Sequence, residues 1–137
     1  MSIVAQKAAR IVAVGGVALA AMGTTVAYAV GDTTSTKLSN GTLSFTAVNG
    51  RYIGTTGTNF FSSTTYHKTG GSTVSLTFGL DTQKAEYNSG TKTVKAGQTV
   101  SHNFGGKPVS DILKCYAIGF MRSGGKLYET PSIKNLC

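Results

Sequence analysis

Residues 112–122 read Ile-Leu-Lys-Cys-Tyr-Ala-Ile-Gly-Phe-Met-Arg, and residues 123–137 continue Ser-Gly-Gly-Lys-Leu-Tyr-Glu-Thr-Pro-Ser-Ile-Lys-Asn-Leu-Cys. The first run has the densest apolar signal after residue 30 and reads as a core strand. Leu113, Cys115, Ala117, Gly119 and Met121 fall on one face, and Ile112, Tyr116, Ile118 and Phe120 on the other. Apolar residues on both faces place such a strand near the centre of an assembly or at an interface. Ser123-Gly124-Gly125 predicts a tight turn, and Lys126 begins a return that Pro131 must end, because proline cannot donate to a ladder. The chain's two cysteines are Cys115 and Cys137. In an oxidising compartment they pair with each other, and closing that loop restricts the unfolded chain by about 3 kcal/mol.

The rest of the sequence outlines an all-β domain. Leu43, Phe45 and Ala47 alternate with Thr42, Ser44 and Thr46, the period of a half-buried strand. Asn49-Gly50 predicts a hairpin, with Arg51-Tyr52-Ile53 starting the return strand. Residues 59–67 are rich in strand formers, and Val74, Leu76, Phe78 and Leu80 give the cleanest inward alternation. Val100, His102 and Phe104 share one side of a further strand, which Gly105-Gly106-Lys107-Pro108 should break. No segment beyond residue 30 has convincing helical periodicity; the longest candidate, 82–87, is too short to stand alone. About seven short strands with frequent turns predict a single antiparallel β-sandwich over 41–137, Ig-like in the broad sense, with one C-terminal disulfide. The lack of tryptophan and the closeness of the cysteines in sequence argue against an antibody-type domain.

Residues 1–29 have the layout of a secretory signal. Lys7 and Arg10 precede an apolar stretch, and Ala27 and Ala29 occupy the small-residue positions before a cleavage at Val30. A membrane anchor is the alternative, but the apolar run is shorter than the roughly 20 residues a span requires. The mature protein is therefore expected to lack a transmembrane segment and to be secreted into the extracellular medium. It would have 137 − 29 = 108 residues, and its charge would be 11 − 5 = +6 without Lys7 and Arg10. Residues 30–40 are polar and nearly free of apolar side chains. They read as a flexible leader, or as an arm that becomes an added strand on a partner. Asn40-Gly41-Thr42 matches a glycosylation sequon.

Catalytic and metal-binding chemistry finds little support. His67 and His102 are the only histidines, no serine sits in a Gly-x-Ser-x-Gly elbow, and no cysteine or histidine spacing suits zinc. The Gly-Gly pairs lack the following helix start that a phosphate cradle needs. No cofactor, metal or catalytic residue is assigned, and the expectation is a non-enzyme. Positive charge draws a secreted protein to acidic partners or to a bacterial cell surface. Nucleic acid is not expected, since no run of adjacent Lys or Arg exists. The candidate contacts are aromatic, with Arg122 at the edge: Tyr52, Phe60, Phe61 and Tyr66. Phe60 and Phe61 are adjacent, so one of them must face out of a one-sided sheet.

The signal, the compact β pattern and the C-terminal pair resemble small secreted proteins of actinobacterial type. The residues that carry this are Cys115-Tyr-Ala-Ile-Gly-Phe-Met, Glu129-Thr130-Pro131 and Cys137, over the last fifth of the chain. Within that group the sequence is similar to the small adaptor subunit of umbrella toxin particles. The resemblance implies a non-enzymatic linker between a lectin-bearing subunit and a large toxin subunit, and it transfers no individual site residue. The function expected is thus a non-catalytic, protein-binding β-sandwich, an adaptor or structural subunit bound to another secreted protein. The alternative is a bacteriocin-like cationic protein acting directly on a cell envelope.

Overall fold

A computed structural model describes residues 31–137. The expected signal and its cleavage positions Ala27, Ala29 and Val30 lie outside them. Nine strands follow in chain order: β1 (Asp32–Leu38), β2 (Gly41–Asn49), β3 (Asn59–Lys68), β4 (Val74–Asp81), β5 (Glu86–Asn88), β6 (Lys92–Val94), β7 (Thr99–Pro108), β8 (Ile118–Ser123) and β9 (Lys126–Glu129). The first sheet has the order β1-β2-β3-β7; the second has β9-β8-β4-β5, with β6 pairing the start of β4. Every pairing is antiparallel, as hairpin-rich connections allow. The fold is the expected sandwich, and among the described residues no helix is long and apolar enough to cross a membrane.

The core is the meeting of the two inner faces. Leu43, Phe45, Phe60 and Tyr66 come from the first sheet, Leu76, Phe78, Leu80 and Met121 from the second, and all are buried. Each large apolar side chain contributes about 1.5–3 kcal/mol by leaving water. Gly119 lets the sheets approach: a Cβ there would lie 2.5 Å from Phe45. On the opposite face of the second sheet, Phe120 lies flat over Gly79, where a Cβ would come within 1.8 Å of its ring. The Arg122 guanidinium covers it, 4.6 Å from the ring centroid. An aromatic on the outer face is thus 1% exposed. The two-sided apolar pattern of β8 therefore reflects one residue packed inward and one roofed by arginine.

The outward face of the first sheet explains the richness in hydroxyl residues. In the observed register Thr33, Thr46, Ser63 and Asn103 form one cross-strand row, and Ser35, Ser44, Thr65 and Ser101 the next. Short β-branched and hydroxyl side chains fit such a pleated surface.

Several expectations are corrected. The strand read over 112–122 starts only at Ile118. Before it come a 3-10 turn at Val109–Asp111 and a loop in which Cys115 takes φ +59°, a left-handed conformation incompatible with a strand. The flexible leader is not observed: Asp32–Leu38 is a strand, paired with β2 along its whole length. Burial could not have ordered it, but backbone pairing does, and the Thr34 and Thr36 hydroxyls donate to the carbonyls of Pro131 and Glu129 across the sandwich at 2.7 Å. Asn49-Gly50 does not make a two-residue hairpin. Gly50–Ile53 is a 3-10 turn, and the return strand begins at Asn59. Gly105 does not break β7; it sits in a β-bulge opposite Ser62 and Ser63 with φ +68°. Ser123-Gly124-Gly125 behaves as expected, with φ +59° and +78° at the two glycines between β8 and β9.

Candidate binding face at the disulfide end

The antiparallel strands gather three connections and the tail at one end of the sandwich. Residues 50–58 join β2 to β3, residues 82–85 join β4 to β5, residues 109–117 join β7 to β8, and the tail 130–137 closes over them. Cys115 and Cys137 are bonded, with their Cα atoms 5.0 Å apart, and tie the tail to the third of these connections. Ile133 pairs with Ala117, and the Leu136 amide donates to the Cys115 carbonyl. Ile112, Ile133 and Leu136 are buried and plug this end of the core.

Polar side chains complete the clamp. Asn49 is buried; its Oδ1 accepts from the Arg51 amide at 2.9 Å and from Arg51 Nε at 3.1 Å. Its Nδ2 donates to the carbonyls of Leu136 at 2.7 Å and Gly57 at 3.2 Å. One asparagine thus holds a loop to the tail. Gln83 does the same for the next pair, donating to the Tyr116 carbonyl and accepting from the Lys114 amide. The Tyr87 hydroxyl donates to Asp111 Oδ2, and Lys107 Nζ lies 4.5 Å over the Tyr87 ring. That hydrogen bond, then burial, raises the Tyr87 phenol above its ordinary pKa.

On this rigid base stand the most exposed large apolar residues described, Leu113 at 66% and Tyr52 at 62%. Arg51, Lys84, Lys114 and Lys134 are exposed around the same end, with the Arg51 guanidinium 5.8 Å from the Tyr52 ring centroid. Acids are present here too: Asp111 lies on the 109–117 connection, where it accepts from Tyr87. Asp81, Glu86 and Glu129 lie around Arg122 on the outer face of the second sheet. Burial first, then repulsion from Glu86 and Glu129, raises Asp81; hydrogen bonds from Arg122 and Asn88 lower Glu86. Exposed apolar side chains and exposed cations, on loops fixed by a scaffold, suit recognition of a surface that carries acidic groups.

The sequence-predicted contacts separate. Tyr52 belongs to this face. Phe60, fully buried, and Tyr66, 4% exposed, are core residues, so both are withdrawn as partner contacts. Phe61 faces outward beside Gly106, where a Cβ would lie 2.9 Å from its ring. Arg122 is exposed but engaged, 3.3 Å from Glu86. Leu113 was missed because a continuous strand would have turned it inward; Pro108-Val-Ser-Asp111 carried the turn signal that could have corrected this. His67 and His102 occupy opposite faces of the first sheet. His67 Nδ1 lies 2.8 Å from the Thr99 hydroxyl, and His102 stands edge-on to Phe104 at 4.7 Å. No group of three or more His, Cys, Asp and Glu residues that could hold a metal occurs among the described residues. No family model, curated protein or solved structure matches this chain.

Proposed function

We propose that the chain is a secreted, non-catalytic binding module, an adaptor or structural subunit of an extracellular complex that could be an antibacterial toxin particle. The observation that carries this is the disulfide end, where Tyr52 and Leu113 stand in water on loops that a disulfide and the Asn49 network hold still. Exposed anchors on pre-ordered loops lose little entropy when covered. Arg51, Lys84, Lys114 and Lys134 favour a partner with an acidic patch.

The test is capture from the culture medium of the producing organism, using the wild type and the Tyr52→Ala/Leu113→Ala double variant. A stoichiometric protein partner retained by the wild type and lost by an equally stable variant is the expected result. A wild type that elutes alone, or a partner held equally by both, would refute the reading. A second reading, direct action on an anionic cell envelope, is favoured by the same four cations. It predicts that pure protein kills neighbouring bacteria and that added salt weakens the effect.

A further inference from the structure

The opposite end of the sandwich holds a buried cation without a counter-charge. Lys68, the last residue of β3, is 1% exposed. Its backbone is fixed on both sides: the amide donates to the Gln98 carbonyl, and its carbonyl accepts from the Gly97 amide. Its ammonium donates to the Gly70 carbonyl. An ammonium has three protons to give. The single ion pair among the described residues is Arg122–Glu86, on the outer face of the second sheet. Taking an unpaired charge out of water costs several kcal/mol, so a fold selected for stability alone would place an apolar residue here.

The surroundings suggest why the charge is kept. Lys68 lines a cavity of about 160 Å3 between the sheets, together with Leu38, Asn40, Tyr66, Met121 and Tyr128. Lys68 Nζ and Asn40 Nδ2 converge: a Cβ at Gly71 would lie 3.2 Å from the first and 3.0 Å from the second. Gly71, with φ +78°, has no side chain to push them apart. Burial, then the Tyr128 oxygen, raises the Tyr66 phenol above its ordinary pKa, so Tyr66 stays protonated. Leu38 and Met121 offer an apolar wall.

We propose that this cavity is a carboxylate site, in which Lys68 and Asn40 hold the two oxygens of a carboxylate while Leu38 and Met121 pack its short aliphatic stem. The volume excludes a large ligand. The carboxylate can belong to a free small acid or to the C-terminus of a polypeptide; the charge and geometry recognised are the same. This inference does not depend on the proposed function, because it concerns the other end of the molecule.

The experiment is a nuclear magnetic resonance titration of the full mature chain at constant ionic strength. The probes are propionate, the dipeptide Ala-Ala, Ala-Ala amide and chloride. Saturable shifts confined to residues 38–41, 66–74 and 121–128 are expected with propionate or Ala-Ala, and none with the amide or chloride. Propionate binding without Ala-Ala binding identifies a free acid; Ala-Ala binding identifies a chain terminus. Lys68→Met should weaken binding at least about tenfold, the scale of a lost charge-assisted hydrogen bond. It should also raise the melting temperature of the ligand-free protein. Asn40→Ala, an exposed turn substitution that leaves the fold intact, should weaken binding several-fold and serves if Lys68→Met does not fold. No saturable shift with either carboxylate, an equal response to chloride, or unchanged binding by the folded variants would overturn the proposal.

Discussion

The two ends of this sandwich use buried polar groups in opposite ways. At the disulfide end Asn49 is buried with its oxygen and its amide both engaged, and it joins segments 87 residues apart. At the glycine-turn end Lys68 is equally buried, but it gives one hydrogen bond to a carbonyl two residues away. A satisfied buried amide fixes a structure, whereas a buried charge short of partners weakens one. Burial alone therefore does not reveal a polar residue's role; the number and reach of its partners do.

The sharpest way to break this contrast is to remove the sulfur link. Replacing Cys115 and Cys137 together by serine should cost about 3 kcal/mol in chemical denaturation. Hydrogen exchange should accelerate at 112–117 and 133–137 while 66–74 stays protected; loss of protection at both ends alike would show that they are not independent. Asn49→Ala should destabilise by about 2 kcal/mol, because it strands the Leu136 and Gly57 carbonyls. Lys68→Met should move stability the other way, a gain of about 1–2 kcal/mol in the same assay. If these two substitutions shift the denaturation midpoint in the same direction, the distinction between the ends fails.

A smaller effect lies between the ends. Burial, then the charges of Lys92 and Lys107, depresses the His102 pKa below its ordinary value. The folded form therefore binds the proton less readily than the unfolded one. Stability from this source is full above the ordinary histidine range and declines as pH falls through it. Melting curves across that range should slope accordingly, and His102→Gln should flatten them. The smallest change is expected from Tyr52→Ala, within about 0.5 kcal/mol of the wild type, because an exposed tip contributes little to folding.

Much of the architecture was legible because alternation reports burial directly. Val74, Leu76, Phe78 and Leu80 read as one face and form one. The disulfide followed from there being two cysteines. What stayed hidden depended on backbone geometry or on partners distant in sequence. The left-handed turn at Cys115 interrupts a run that looks uniformly strand-like, and that error concealed Leu113. β1 contributes little apolar surface, so a burial-based reading left it unfolded. On β3 the polarity even misleads: Ser62 and Thr64 point into the core, with hydroxyls buried and without partners among the described residues, while Phe61 points out. The carboxylate cavity was invisible for a similar reason, since a lone lysine at a strand end is ordinarily a solvated one.

The threonine contacts of β1 bear on how the molecule is completed. Thr34 and Thr36 reach acceptors 97 and 93 positions further along the chain. The first described strand therefore waits for residues more than ninety positions later before its side chains can be matched. Contacts of such long range are slow to form. The seam between β1 and residues 129–131 should therefore be among the last parts of the sandwich to close.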